Sequence, residues 1–232
     1  MSIRDNIMEV RRRIAAACER SGRDPEEVRL IAVSKTKPVS MIEEAVAAGQ
    51  NIFGENRPQE LRDKYALLPS SLQWHMIGHL QKNKIKYVVG RACMIHSIDS
   101  LDLAEAVNEQ AAKSHVIMPV LVEVNAAGEE SKFGVRPEET EALVRRIAGL
   151  ENIRVKGLMT IAPNVEDPQL NRPYFRQLKQ LCIDIGQKNI DNVSMIELSM
   201  GMTGDYEVAV EEGATFVRVG TGIFGDRRSL DV

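Results

Sequence analysis

Lys35 stands at the end of Leu30-Ile31-Ala32-Val33-Ser34-Lys35-Thr36-Lys37, where an apolar run with branched residues meets Pro38. The run reads as a short buried strand, and a lysine at its mouth has two meanings. It is a solvated loop residue, as most lysines are, or it is an amine held against apolar walls with a lowered pKa, ready to form a Schiff base with a carbonyl. Lys35 alone does not choose between them. Two later stretches, Ser199-Met200-Gly201-Met202-Thr203-Gly204 and Gly220-Thr221-Gly222, have the composition of anion cradles. Their small residues let backbone amides approach a ligand and their hydroxyls add donors, although each taken singly is more often just a turn. Arg218 interrupts the apolar Phe216-Val217-Arg218-Val219. A buried arginine is costly unless paired, so it makes either a structural salt bridge or a ligand contact. Alternation puts Arg218 and Phe216 on one face of that strand and Val217 and Val219 on the other.

These residues meet only if the elements between them form a repeating scaffold. Ile3, Ile7, Val10, Ile14 and Ala17 form one apolar stripe on a helix over 3–20, with Arg11, Arg12 and Arg13 on its solvated side. After the Lys35 strand, strands are expected at 51–54, 74–77, 93–98, 116–124, 153–159, 193–198 and 215–219. Helices are expected between them at 41–48, 59–68, 80–88, 101–112, 138–148, 174–185 and 205–212. That makes eight strands, each followed by a helix except for the last, whose helix is left open. Such alternation, with right-handed crossovers, points to an α/β fold of TIM-barrel type, with an extra N-terminal helix and a single domain over 1–232. A doubly wound sheet is the alternative. Against it, no GxGxxG follows the first strand.

In a TIM barrel, functional groups sit at the C-terminal ends of the strands, and the loops after the seventh and eighth strands habitually bind phosphate. Lys35, Asn56, His79, Asn125, Ser199 and Thr221 all fall at strand ends and would look into one mouth. His75 reads as a core histidine, His79 equally as pocket or surface, and His96 and His115 as structural. Lys37 and Lys132 read as solvated surface, with a secondary aldehyde-accepting role as the competing reading. Met76, Met94, Met118 and Met159 are core filling.

Composition narrows the function classes. The chain has 232 residues, 44% of them hydrophobic, and a net charge of -3. A nucleic-acid binder would need a basic surface, so that class is set aside. Cys18, Cys93 and Cys182 have no CxxC or CxxH spacing, so no metal site is expected, and a sparse odd set fits a reducing compartment. No apolar run approaches a membrane span and no signal core opens the chain. The expectation is a cytoplasmic protein, monomeric by default because no heptad or long apolar patch demands a dimer.

The residues also carry a resemblance. Ala32-Val33-Ser34-Lys35, Phe53-Gly54-Glu55-Asn56, Trp74 to Lys84, Leu198-Ser199-Met200-Gly201-Met202 and Arg218 to Gly225 are similar to motifs of the pyridoxal phosphate homeostasis protein family, in order and over nearly the whole chain. The resemblance implies an alanine-racemase-like barrel without the racemase's second, β-rich domain, and with Val232 ten residues after Gly222 no such domain is expected. It further implies that Lys35 is the Schiff-base lysine for pyridoxal 5'-phosphate. Ser199, Gly220 and Thr221 would hold the phosphate, with Met200 and Gly201 in the same loop. Arg218 would face the pyridine nitrogen, and Asn56 and His79 would be pocket neighbours. Thr203 stands where the family more often has serine. The function implied is a protein that holds, buffers or delivers the cofactor, with apo pyridoxal-phosphate enzymes as partners. The competing readings are a pyridoxal-phosphate-dependent amino-acid racemase and a cofactor-free Schiff-base aldolase.

Overall fold

The computed structural model describes residues 2–129 and 132–225. Eight parallel strands close into a barrel in chain order. They are β1 (Arg29–Val33), β2 (Ile52–Glu55), β3 (Gln73–Met76), β4 (Ala92–Ile98), β5 (Met118–Glu123), β6 (Ile153–Met159), β7 (Val193–Met202) and β8 (Phe216–Val219). Closure is by β8 against β1, from Arg29 opposite Phe216 to Ala32 opposite Val219. The helices are α1 (Ile3–Ser21), α2 (Val39–Ala47), α3 (Pro58–Leu67), α4 (Leu101–Lys113), α5 (Pro137–Ala148), α6 (Arg172–Gly186), α7 (Tyr206–Glu211) and α8 (Thr221–Phe224). This is the TIM barrel that the alternation implied. Among the described residues, no helix is long and apolar enough to cross a membrane.

Two apolar layers follow from the period-2 alternation of the strands. Ile31, Ile52, Met94, Leu121, Met159 and Phe216 form a small cluster inside the barrel. Their neighbours in sequence, such as Ala32, Phe53, Ile95, Val122, Leu158 and Val217, join the large cluster between barrel and helices. Helix α1 begins at a capping box, with Ser2 Oγ accepting from Asp5 N and Asp5 accepting from Ser2 N, and ends at left-handed Gly22. It buries the expected stripe Ile3, Ile7, Val10, Ile14 and Ala17 and packs against α7, α8 and α2. With only four residues in α8, the long N-terminal helix takes the place in the outer ring that a full eighth helix would fill.

Two expected elements differ. The segment 80–88 is a 3-10 helix, Lys82–Tyr87, rather than an α-helix. Lys82 and Lys86 would repel at i,i+4 on an α-helix, whereas a three-residue turn aligns the buried Ile85 and Val88 on one side. Strand β7 also runs to Met202 rather than stopping at 198. Its extra length is absorbed by a register shift against β8, with Ser199 opposite Phe216 but Met202 opposite Arg218. Gly201 makes that irregularity possible. Its φ is +89°, and a Cβ there would lie 2.5 Å from Ala209 Cβ on α7.

The β6–β7 pairing has a similar irregularity between Val155 and Gly157. A Cβ on Gly157 would sit 1.8 Å from the Glu197 carbonyl oxygen and 2.7 Å from its carbon, and backbone on a central strand cannot step aside. Gly157→Ala is therefore expected to cost about 3 kcal/mol or more, the range for overpacking against an unyielding neighbour. Urea unfolding checks this; a variant within about 0.5 kcal/mol of the parent, the scatter of an ordinary surface change, would show that the bulge relaxes freely.

Candidate functional site

A polar column rises along the barrel axis beneath the mouth. Arg218, on β8, points inward with Phe216, as the alternation required, and is 4% exposed. Its guanidinium donates to Ser199 Oγ at 2.6 Å and to the Thr160 carbonyl at 2.8 Å. Among the described residues no carboxylate pairs with it, so the salt-bridge reading of Arg218 fails. Burial lowers its pKa to about 10, while the charges of Asp205 and Glu123 act to raise it, and it stays protonated at neutral pH.

Ser199 Oγ lies 2.9 Å from His96 Nδ1, and His96 Nε2 lies 2.8 Å from His75 Nδ1. Both imidazoles are buried and rest against Phe216, His75 edge-on and His96 tilted. Desolvation first, and the Arg29 charge second, bring His75 to about 3; desolvation, His75 and Arg218 hold His96 well below its ordinary value. Both rings are thus neutral, and the simplest proton order runs from Arg218 to Ser199, then to His96, then to His75. The sequence marked both histidines as structural but carried no sign that they touch, since β3 and β4 bring them together only in the closed barrel.

Above this column opens a cavity of about 560 Å³, within the range of small-molecule sites. Val33, Ile77, Ile161 and Met202 form apolar wall, and Lys35, Asn56, Asn164, Thr203, Gly204, Arg218, Gly220 and Thr221 bring polar groups. The structure therefore gathers Lys35, Asn56, Arg218, Gly220 and Thr221 around one space. It does not place Ser199, Met200, Gly201 or His79 on that wall. Ser199 lies below, holding Arg218; Met200 faces outward in the helix–barrel layer; Gly201 packs on α7.

The hydroxyl on the β7 side comes from Thr203 instead. Thr203 Oγ1 meets Gly220 N at 3.4 Å, Thr221 Oγ1 at 3.3 Å and Gly222 N at 3.4 Å. These contacts are long, so the two amides and two hydroxyls converge without saturating one another. Asn56 Oδ1 is buried with no hydrogen-bond partner among the described residues. Asn164 and Ile161 sit on the loop after β6, where nothing in their local sequence distinguishes them.

Asn56 also borders a second cavity of about 570 Å³, lined by Arg57, His79, Gln81 and Lys84 among others. His79 stacks on Phe133 with ring centroids 3.8 Å apart, and its Nδ1 is 3.5 Å from Asp99 Oδ2. Asn125, expected in the mouth, staples the loop after β5 by donating to the Glu129 carbonyl at 2.8 Å. Lys37 is a correction. It is buried, and its ammonium donates to the Phe224 and Gly225 carbonyls at 3.2 and 3.0 Å, closing the end of α8. It is neither solvated nor in the cavity. Lys132 pairs with Glu129 at 2.8 Å.

Comparison with known proteins places this architecture. The family model for the alanine racemase N-terminal domain matches residues 3–228. A relative named pyridoxal phosphate homeostasis protein from Aquifex aeolicus is 45% identical over 229 residues, 98% of this chain and all of that one. The chain belongs to the pyridoxal phosphate homeostasis protein family. The member from Escherichia coli K12 is 40% identical over 97% of both chains. Among solved structures, PipY of Synechococcus elongatus with PLP bound superposes with a TM-score of 0.84 at 35% identity, covering 97% of this chain and all of that one. Alanine racemase from Corynebacterium glutamicum, at 15% identity and a TM-score of 0.72, shares the fold.

The buried column has a pH signature. A histidine whose folded pKa lies far below its unfolded value makes the unfolded state the better proton acceptor, so stability falls as pH drops below about 6.5. Each of His75 and His96 should cost about 1.5–2 kcal/mol between pH 6.5 and 5. Glu123, brought to about 7 by burial first and Asp99 second, has the opposite sign, because its folded state takes up a proton in the same window. It offsets roughly one histidine. Urea unfolding at the two pH values should therefore show the parent losing stability on acidification, His75→Gln losing less and Glu123→Gln losing more; identical slopes in all three would mean that these groups titrate normally.

Proposed function

We propose that this protein holds pyridoxal 5'-phosphate as a Schiff base on Lys35 and buffers or delivers it to apo pyridoxal-phosphate enzymes in the cytoplasm, without turning over amino acids itself. The observation that carries the reading is the placement of Lys35 and Arg218 on one cavity with Gly220 and the hydroxyls of Thr203 and Thr221, the Gly222 amide meeting Thr203 Oγ1 beside it. The cavity fits such a ligand in three respects: unsaturated donors converge where a phosphate needs them, Asn56 offers a buried oxygen without a partner among the described residues, and apolar side chains are there to face a flat ring. PipY, 35% identical over 97% of this chain, was solved with PLP bound.

Each side chain then has a task. When bound, the cofactor supplies an aldehyde carbon that an amine can hold. Lys35 provides that amine from the end of a rigid strand. Thr203, Gly220, Thr221 and Gly222 bind and orient the phosphate. Arg218, held by Ser199 and Thr160, faces the ring nitrogen as a fixed cation. A cation there does not favour protonation of the nitrogen, which leaves the ring a weak sink for electrons from a carbanion. Met200 and Gly201 shape the β7 bulge that places Thr203, and His79 lies across Asn56 in the adjoining cavity.

Support for the carrier reading over a racemase comes from the same wall. Racemisation needs an acid/base group on each face of the substrate, and among the described residues lining the cavity Lys35 and Arg218 are the only titratable ones. The curated relatives are named for homeostasis. The three cysteines are free among the described residues, in keeping with a reducing compartment.

Borohydride reduction of protein loaded with the cofactor, followed by peptide mass spectrometry, should place the pyridoxyl group on Lys35 and on no other lysine; a dominant adduct elsewhere, or none, would overturn the assignment. Removing the phosphate should forfeit two or more charge-assisted hydrogen bonds of about 1.5–3 kcal/mol each, so pyridoxal should bind at least about 100-fold more weakly. Equal affinities would assign the loop donors another purpose. Loaded protein kept with alanine or serine in deuterated water should show no sustained α-proton exchange. Exchange or inversion that vanishes in Lys35→Ala would make it an enzyme.

A further inference from the structure

Ser34 and Thr36, the residues on either side of Lys35, are gripped by one cluster of ions from β2 and α3. Ser34 is fully buried, and its hydroxyl donates to Glu55 Oε1 at 2.7 Å. The Lys64 ammonium donates to the Ser34 carbonyl at 2.7 Å, to the same Glu55 oxygen at 2.7 Å and to Glu60 Oε2 at 3.2 Å. That Glu60 oxygen in turn accepts the Thr36 amide at 2.7 Å. Lys64 and Glu55 are buried, while Glu60 is partly open to solvent. Glu60 and Lys64 lie at i and i+4 on α3 with the acid nearer the N-terminus, the favourable order.

The grip matches a backbone that needs it. Thr36 has φ +62°, a left-handed conformation that a β-branched residue adopts rarely. Such a conformation persists only where its surroundings over-determine it. Ser34 is held by its carbonyl and its hydroxyl, Thr36 by its amide, and Lys37 N closes the turn on the Ser34 carbonyl at 3.0 Å. Lys35 therefore leaves a turn pinned on both sides. Burial is the larger effect on Glu55 and leaves its pKa raised, although the Lys64 ammonium and the Ser34 hydroxyl act to lower it. Burial would also raise Glu60, but the Thr36 amide and Lys64 overcome it and hold it below its ordinary value.

We infer that Glu55, Glu60 and Lys64 are positioning residues for Lys35, setting where its amine meets a carbonyl without touching the ligand themselves. The inference rests on the cofactor reading above. In the step they serve, neutral Lys35 Nζ adds to the aldehyde carbon; the two amine hydrogens and the aldehyde oxygen leave as one water, and a carbon–nitrogen double bond replaces the carbonyl. No oxidant or further reactant enters. The cluster contributes placement alone, and misplacement by about 1 Å is enough to slow a reaction of this kind about 100-fold.

The test separates covalent capture from simple binding. Capture is followed by rapid mixing of the apo protein with pyridoxal 5'-phosphate, borohydride quenching at intervals and intact mass. Binding is measured with 4'-deoxypyridoxine phosphate, which keeps ring and phosphate but has no aldehyde. Glu60→Ala frees the Thr36 amide at a partly exposed site and should slow capture about 10- to 100-fold, with the affinity for the deoxy analogue unchanged. Glu60→Gln, which retains an oxygen for that amide, should recover most of the rate. Lys64→Met should show the same split more strongly, and if it fails to fold the Glu60 pair decides alone. Capture at the parent rate in Glu60→Ala, or a parallel loss of capture and analogue affinity, would overturn the positioning role. A parent protein that binds neither ligand would instead sink the cofactor reading, and the positioning role with it.

Discussion

The guanidinium of Arg218 is a charge buried inside the barrel with no carboxylate bound to it among the described residues, and much of the interior is arranged to tolerate it. An unpaired buried ion costs several kcal/mol unless hydrogen bonds replace its water. Here the Ser199 hydroxyl and the Thr160 carbonyl do so. Ser199 can serve because β7 continues past the expected end and keeps that residue inward; His96 then orients Ser199, and His75 orients His96. Each link works only while both imidazoles are neutral, which burial ensures. The column therefore fixes a cation at the floor of the cavity. Buried polar chains of this kind are rigid when every member is satisfied and costly when one is lost.

The mouth owes its geometry to a few backbone irregularities. A regular eight-stranded ladder would carry each strand end to a similar height, but the bulge at Gly201 turns the end of β7 so that Thr203 and Gly204, rather than Ser199, face the ligand space. The left-handed turn at Thr36 performs the same service after β1. Both are placed on strands anchored by two apolar layers, so the groups they aim are held by the scaffold rather than by mobile loops. The alanine racemase structure shares this scaffold at low identity, as expected when packing sets the fold and a few strand-end residues set the chemistry.

Charge on the cavity wall is one-sided. Among the described residues lining it, Lys35 and Arg218 are the charged ones, and both are basic. Such a site suits an anionic ligand and offers no carboxylate to remove a proton from a bound substrate. The other lysines near the turn are committed elsewhere: Lys37 closes the carbonyl end of α8, and Lys64 balances Glu55 and Glu60. Three lysines within one short stretch of space thus have three separate roles, distinguished by burial and partner rather than by residue type.

The sequence by itself determined the barrel, the N-terminal helix and most strand limits, because the period of apolar residues is a local property and each strand buries both faces. It also determined which side of β8 Arg218 occupies, since alternation in a strand leaves one choice, and its ordered motifs pointed to the family. It did not reveal the helical type of 82–87 or the end of β7, which depend on which side chains find a buried neighbour. Nor did it show that Lys37 is enclosed, that His75 and His96 join Ser199 and Arg218, or that Glu55, Glu60 and Lys64 hold the turn around Lys35. Those contacts join residues on different strands and helices, and only closure of the barrel brings them within hydrogen-bonding distance. Local pattern records which face a side chain takes; the identity of its partner is decided by the packing of elements far apart in the chain.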